Sequence, residues 1–479
     1  MLTARRITAN TSFFMVALIF QKLLSFVYFT ILARSLGAEG IGQYFFAISF
    51  ATMFSVLIDL GLSPVLIREV SKDEGNGQRW FHQVFTLKIW LALATALLMI
   101  VLNTWLFYSD AVRNLIYLTT LIIIIDSFTL LFYAYIRGRQ SLKFESWGVI
   151  IFQIIVLAMG LSLLQITNNV FVLLTVLLVA SAFNMFFSGF ILRFKYKVKF
   201  KLFYSKDFVK KIFIITLPFA LSAIFARIYG YIDTFMLKMF LGDAQVGFYG
   251  VAYKITFALQ FIPLAFVAAL YPAFSNFFKD KSDKLESSFV KSFNYLSFIA
   301  VPVTFGVIAL SNEVVSKLYT SEFSMSILPL QILIASIPFL FVNFSLSSFL
   351  NATNRQKINT RNLGIIMIFN IILNLILIPK LGVWGAALSS TISTILLFTM
   401  NLKAVLNIVR LKSKMFKPLV GTILSSLIMF GLVYWIKDYI HWVLAMLVGI
   451  IVYFVLMLIT KTLKKEDILF VKNSVFKAQ

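Results

Sequence analysis

The chain has 479 residues, 60% of them hydrophobic and 16% aromatic, with no cysteine and a formal charge of +24 from 43 Lys+Arg against 19 Asp+Glu. A soluble domain is about 45–50% apolar, so this composition excludes one, and the missing thiols exclude disulfides, cysteine nucleophiles and thiolate-held metals. The bases sit in short segments between apolar runs, which leaves no room for a nucleic-acid module and assigns the charge to membrane topology.

The first apolar run, residues 11–33, is too long for a signal-peptide core and has no small-x-small cleavage pattern behind it. It reads as a retained first span. Fourteen spans follow from runs long enough to cross a bilayer as helix, at about 11–33, 41–67, 83–106, 115–136, 148–166, 170–192, 212–237, 247–272, 292–312, 326–350, 363–379, 383–402, 418–436 and 442–460. With the N-terminus inside, 33 of the 43 bases fall in inner segments. Only Arg34, Arg113, Lys238, Lys317, Lys380 and Lys437 fall in outer ones. Every alternation obeys the positive-inside rule, which predicts fourteen spans with both termini cytoplasmic. Six prolines, Pro218, Pro263, Pro272, Pro302, Pro329 and Pro338, interrupt spans of the second half and predict kinks.

A repeat organises these spans. TILARSLGAEGIGQY, Thr30 to Tyr44, matches FMLKMFLGDAQVGFY, Phe235 to Tyr249, with Leu36 on Leu241, Gly37 on Gly242, Gly42 on Gly247 and Tyr44 on Tyr249. The glycines predict a tight turn with positive φ and close backbone approach. Six spans precede the second copy, so the repeats are parallel, related by a pseudo-twofold along the membrane normal. The expected fold is an all-α polytopic membrane protein. Its expected parts are a six-helix lobe (1–192), a basic cytoplasmic linker (193–211), a second six-helix lobe (212–402), and two further helices with a basic tail (403–479). The linker's RFKYKVKFK, Arg193 to Lys201, reads as a segment touching anionic lipid headgroups rather than as a strand.

Four bases lie within spans: Lys22, Lys88, Arg227 and Lys254. A charge there costs about 2.5–3.5 kcal/mol on insertion scales. The repeat offset places Lys22 on Arg227, so both copies carry a cation at one position. Ser25 shares the Lys22 face and Tyr231 the Arg227 face, while Lys254 shares a stripe with Gly247 and Gly250. Ser49, Thr52, Ser55 and Asp59 form a polar stripe on span 2; Thr119, Asp126, Thr129 and Tyr133 form one on span 4; Asp233 lies on span 7. One reading is structural ion pairing, Lys22 with Asp59 or Arg227 with Asp126. The other places Lys22, Arg227 and Lys254 around a cleft between the lobes that takes a phosphate or diphosphate, for which a guanidinium fork is suited. Lys88, near the inner end of span 3, is expected to snorkel and stays outside the site. His82 and His441 are far apart, and neither metal nor cofactor is expected.

ILARSLGAEGIGQY, TLPFALSAIFARIYGYIDTFMLKMFLG, VGFYGVAYKITFALQFIP and GVWGAALSSTIST together resemble the polysaccharide (O-antigen-type) flippases of the multidrug/oligosaccharidyl-lipid/polysaccharide exporter superfamily. The resemblance covers nearly the whole chain. It implies a two-lobed, non-enzymatic transporter in the bacterial cytoplasmic membrane. Its cargo would be an undecaprenyl-diphosphate-linked oligosaccharide, moved to the outer leaflet by alternating access, with polymerase or export machinery as partners. Relatives line a cationic cavity with helices 1, 2, 7 and 8, which places Lys22, Ser25, Arg227, Tyr231 and Lys254 as substrate-binding candidates. Asp59, Asp126 and Asp233 are candidates for ion coupling. The alternatives are a peptidoglycan-precursor flippase, a cation-coupled drug exporter, or a membrane glycosyltransferase or polymerase. The last would require a catalytic loop or metal motif that the short lysine-rich segments do not carry.

Overall fold

Glycine at two equivalent places sets the geometry of the N-terminal half. In the computed structural model Gly37 has φ 67° and ψ −176°, and Gly242 has φ 86° and ψ −170°. That region of backbone space is open essentially to glycine alone, and both copies of the repeat turn through it. The model describes residues 4–73, 75–106, 108–203, 205–280, 284–409 and 417–463. Lys281, Arg410, Lys412, Lys414 and the basic tail from Lys464 lie outside the described residues, as do the side chains of Lys211 and Pro218.

No strand occurs among the described residues. They divide into two compact units, 1–247 and 248–479. The first holds α1 (Ala4–Asp59, broken at Gly37), α2 (Leu62–Lys72), α3 (Gly77–Trp105), α4 (Asp110–Gly138), α5 (Lys143–Leu164), α6 (Val170–Phe190) and α7 (Lys206–Leu241). A π-helical turn, Ile191–Lys195, ends α6. α8 (Asp243–Ala258) begins in this unit. The second unit holds α9 (Phe261–Lys279), α10 (Lys284–Ala309), α11 (Ser311–Leu318), α12 (Ile327–Ile334), α13 (Ile337–Ala352), α14 (Gln356–Leu381), α15 (Val383–Leu406), α16 (Lys417–Ile436) and α17 (Trp442–Ile459).

Eleven helices among the described residues are long and apolar enough to cross a membrane, or twelve when the α12–α13 pair, bent by 44°, is one span. The first, Phe13–Asp59, has 47 residues. At 1.5 Å per residue that is roughly 70 Å, about two crossings, and the Gly37 break is where it turns. Pro272 and Pro302 lie inside α9 and α10, and Pro338 opens α13.

In the first unit α1 packs on α4, α5 and α7, and α6 packs on α4 and α5. α7 therefore groups with the helices before the basic linker. A buried cluster of Leu66, Val70, Phe81, Phe132 and Ile136 joins α2, α3 and α4 at one end. Arg137 forks onto Glu145 beside it. At the glycine turns the contact is reciprocal. A Cβ on Gly42 would stand 1.9 Å from the Asp243 carbonyl oxygen, and one on Gly247 would stand 2.0 Å from that of Ala38. Ala38 and Asp243 are themselves equivalent in the repeat, so residue i meets j′ as i′ meets j, the signature of a local twofold.

In the second unit three buried asparagines link three helices. Asn362 donates to Asn401 at 2.9 Å, and Asn401 donates to Asn343 at 2.8 Å, joining α14, α15 and α13. α16 and α17 pack together and on α10, where Tyr453 donates its hydroxyl to the Phe298 carbonyl at 2.8 Å.

Candidate functional site

Three helices of the first unit turn polar faces toward one cavity of about 640 Å³. α1 contributes Thr52, Ser55, Val56 and Asp59, an i, i+3, i+4, i+7 stripe. α4 contributes Ile123, Asp126, Ser127 and Leu130 at the same spacing. α7 contributes Ser222, Ala223, Ala226 and Arg227. One stripe per helix is what helical periodicity demands when polar side chains must avoid lipid. A smaller cavity of about 110 Å³ adjoins, lined by Thr52, Thr119, Asp126 and Ser181.

Asp59 is the last residue of α1, just before a turn made by Leu60 and Gly61 with positive φ. Its Oδ1 lies 2.6 Å from Lys88 Nζ and accepts the Ser63 hydroxyl at 2.5 Å. The Lys88 side chain is wholly buried. This corrects the expectation that Lys88 snorkels. It lies three turns into α3, beyond reach of the helix end. Both the carboxylate and the carbonyl-rich C-terminus of α1 favour a cation there. The same pair answers the ion-pair reading for Asp59, whose base is Lys88 and not Lys22.

Asp126 and Arg227 both line the cavity and are exposed to it. Among the described residues no ion pair joins them. Tyr231, one turn beyond Arg227 and half-buried, interacts with its guanidinium. The cavity therefore holds an ion-paired carboxylate, a second carboxylate, a guanidinium and four hydroxyls.

The other candidates lie elsewhere. Lys22 is exposed on α1 with Ser25 half-buried beside it, and neither lines this cavity. Lys254 is half-buried on α8, in the second unit. Asp233 is buried on α7 and does not line the cavity. Sequence reasoning missed Lys88, Ser127 and Ser222. The serines are too common in spans to stand out, and Lys88 is marked only by its partner. Among the described residues no group of three or more His, Cys, Asp or Glu could hold a metal ion.

The model of the polysaccharide biosynthesis protein family matches residues 7–278, and the MatE family model matches residues 218–376. A probable low-salt glycan biosynthesis flippase, Agl15 of Haloferax volcanii, is 26% identical over 217 residues. That match spans 45% of this chain and 46% of the relative, so this chain aligns with about half its length. The capsular polysaccharide biosynthesis protein CapF of Staphylococcus aureus is 24% identical over 392 residues, 80% of this chain and 95% of that one. Among solved structures, the lipid II flippase MurJ in an inward closed conformation superposes with a TM-score of 0.79 at 19% identity, covering 93% of this chain and 98% of that one. Its likeness is one of fold. With more than half its length matched by the family model and its apolar helices long enough to cross a membrane several times, the chain belongs to the polysaccharide biosynthesis protein family, within the multidrug/oligosaccharidyl-lipid/polysaccharide exporter superfamily.

Proposed function

We propose that the chain moves undecaprenyl-diphosphate-linked oligosaccharide repeat units from the inner to the outer leaflet of a bacterial cytoplasmic membrane by alternating access, for surface polysaccharide assembly. The observation that carries this reading is the cavity of about 640 Å³ in which Arg227 stands among Asp59, Asp126, Thr52, Ser55, Ser127 and Ser222. A guanidinium offers paired donors to diphosphate oxygens. Carboxylates and hydroxyls accept from and donate to the hydroxyls of a sugar. Binding and release need no covalent step. Lys22, Ser25 and Lys254 remain candidates for the path of the anionic headgroup, and Tyr231 for orienting Arg227. Asp126, which enters no ion pair among the described residues, is the better candidate for coupling to H⁺ or Na⁺, while Asp59 is held by Lys88. Asp233 is the third. A polymerase acting on the exported repeat units is the expected partner.

The test is Arg227→Ala in a strain that depends on this chain for surface glycan. Lipid-linked intermediates should accumulate on the inner leaflet and surface polymer should fall at least tenfold, in line with the roughly 1.5–3 kcal/mol of a hydrogen bond to a charged group, with membrane levels of the protein unchanged. Unaltered export would contradict the site. A peptidoglycan precursor shares the diphosphate, and loss of wall synthesis in place of surface glycan would favour that cargo. A cationic drug would be repelled by Arg227, and drug sensitivity with normal glycan would favour the exporter reading.

A further inference from the structure

The basic segment after α6 is a fixed ledge. The π-helical turn Ile191–Lys195 leads into it, and Val198, wholly buried, donates its N–H to the Leu192 carbonyl at 3.1 Å. α3 holds the rest. Gln78 donates to the Lys197 carbonyl at 3.2 Å, His82 Nε2 lies 2.6 Å from the Lys199 carbonyl oxygen, and the Phe203 N–H donates to Thr86 at 2.9 Å. With Val198 buried and the Lys197 and Lys199 carbonyls held by α3, Lys195, Lys197, Lys199 and Lys201 all stand exposed, as does Arg193. Among the described residues none of the five enters an ion pair, and Lys195 alone has an aromatic partner, Phe144 at 4.2 Å.

Apolar grooves flank this row of cations. One, of about 620 Å³, is lined by Phe132, Phe186, Phe190, Phe194 and Phe200 with Arg193 at its edge. Phe186 and Phe194 are 70% and 66% exposed. The other, of about 330 Å³, lies between α3 and the start of α7, lined by Leu87, Trp90, Phe203 and Phe208. The ledge leaves the end of an apolar span, Val170–Lys195, so it sits at the boundary between hydrocarbon and water.

We propose that this ledge is a binding site for an anionic glycerophospholipid of the surrounding leaflet, its phosphate on Arg193 and Lys195–Lys201 and its acyl chains in the two aromatic grooves. Charge complementarity selects this occupant. Five exposed cations, none in an ion pair among the described residues, favour a phosphodiester of net charge −1 over a zwitterionic lipid, since bases near the bilayer surface each add to anionic-lipid attraction. The grooves require chains, which a free phosphate lacks. A lipid held there would brace α3, α6 and α7 against one another from outside the cavity, and the site stands independently of what the cavity carries.

The experiment is native mass spectrometry of the full chain in detergent, titrated with dioleoyl phosphatidylglycerol, dioleoyl phosphatidylcholine, glycerol phosphate or a prenyl diphosphate. Phosphatidylglycerol should be retained about tenfold or more over phosphatidylcholine, and the preference should collapse in a Lys195→Gln, Lys197→Gln, Lys199→Gln, Lys201→Gln variant. Phe190→Ala with Phe194→Ala should weaken both lipids together. The wild-type protein alone gives a second arm, because the preference should shrink as salt is raised from about 0.1 to 0.5 M, where the Debye length falls from about 10 Å toward 4 Å. Equal retention of the two lipids, or a preference indifferent to both salt and the lysines, overturns the proposal. Retention of glycerol phosphate as tightly as the lipid overturns the role of the grooves. Retention of a prenyl diphosphate in preference to phosphatidylglycerol reassigns the ledge to cargo entry and overturns it as a phospholipid site.

Discussion

The two units bury polarity in different ways. The first keeps charge within its spans, Lys88 on Asp59 and Asp126 and Arg227 on a cavity wall. The second, besides the half-buried Lys254 and the Lys437–Glu313 pair, carries neutral amides that close on one another, Asn362 on Asn401 on Asn343. An amide is donor and acceptor at once, so a chain of them satisfies itself and joins helices without an opening. A charge in hydrocarbon is tolerated only with a partner or with water. Where a span carries a charge beside a cavity, the polarity faces an opening; where it carries amides in a closed chain, it joins helices.

Replacing Lys88 breaks this comparison most sharply. Lys88→Met strips the base from Asp59 and should destabilise the protein by about 3–5 kcal/mol, the usual penalty for orphaning one member of a buried pair. The double variant Lys88→Met with Asp59→Leu removes both charges and should recover most of that loss, read as thermal unfolding in detergent. If the single variant unfolds like wild type, the pair is not what holds α1 to α3.

The glycine contact is the next largest. Gly42→Ala puts a methyl 1.9 Å from the Asp243 carbonyl oxygen, and backbone on both sides leaves nothing flexible to yield. Overpacking of this kind costs about 1–3 kcal/mol. Gly247→Ala should match it, because its contact with Ala38 is the same contact seen from the other copy. Unequal effects would show that the repeat lacks local symmetry at this point. Gly230, where an added Cβ meets nothing within 4 Å, is the control and should tolerate alanine.

Much of this was legible before the fold was seen, for reasons that differ by residue. Gly37 and Gly242 could be found because a positive-φ turn constrains one residue type locally, so the need appears in sequence twice at one offset. Asp59 and Asp126 stand out because helical spacing puts each on a polar stripe, and Arg227 because the repeat offset sets it on Lys22. The Lys88–Asp59 pair could not. It joins residues 29 apart on different helices, and nothing local to Lys88 separates a snorkelling lysine from a buried one. The asparagine chain was equally hidden, since Asn343, Asn362 and Asn401 acquire their meaning only when α13, α14 and α15 meet. That α7 groups with the first unit was also out of reach, because the basic linker before it looks like a boundary while its packing on α1 and α2 is tertiary.

In the second unit the amide chain should behave as glue. Asn401→Ala removes the residue that accepts from Asn362 and donates to Asn343, and it should cost about 0.6–1.7 kcal/mol, the range measured for hydrogen bonds between membrane helices. Export corrected for protein level should be retained. A severe export defect at normal stability would mean that the amides also serve the cargo, and the division between the two units would fail.

The smallest effect belongs to a carboxylate outside the spans. Asp73, between α2 and α3, accepts the Asn76 side-chain amide at 2.6 Å and the backbone N–H groups of Gly75 at 2.9 Å and Asn76 at 3.3 Å. These bonds, the Asn76 side chain foremost, hold its carboxyl below the usual range. A carboxylate whose pKa is depressed by folding contributes stability above its unfolded value and loses it as pH falls through the folded one. Asp73→Ala should therefore lower the melting temperature slightly at pH 7, and the difference from wild type should close on acidification toward about pH 3, below the ordinary aspartate value of about 3.9. Water competes for every one of these bonds, so the loss should be smaller than for Asn401→Ala. A larger loss at Asp73 would show that the turn before α3 governs how that helix, and Lys88 on it, is presented to Asp59.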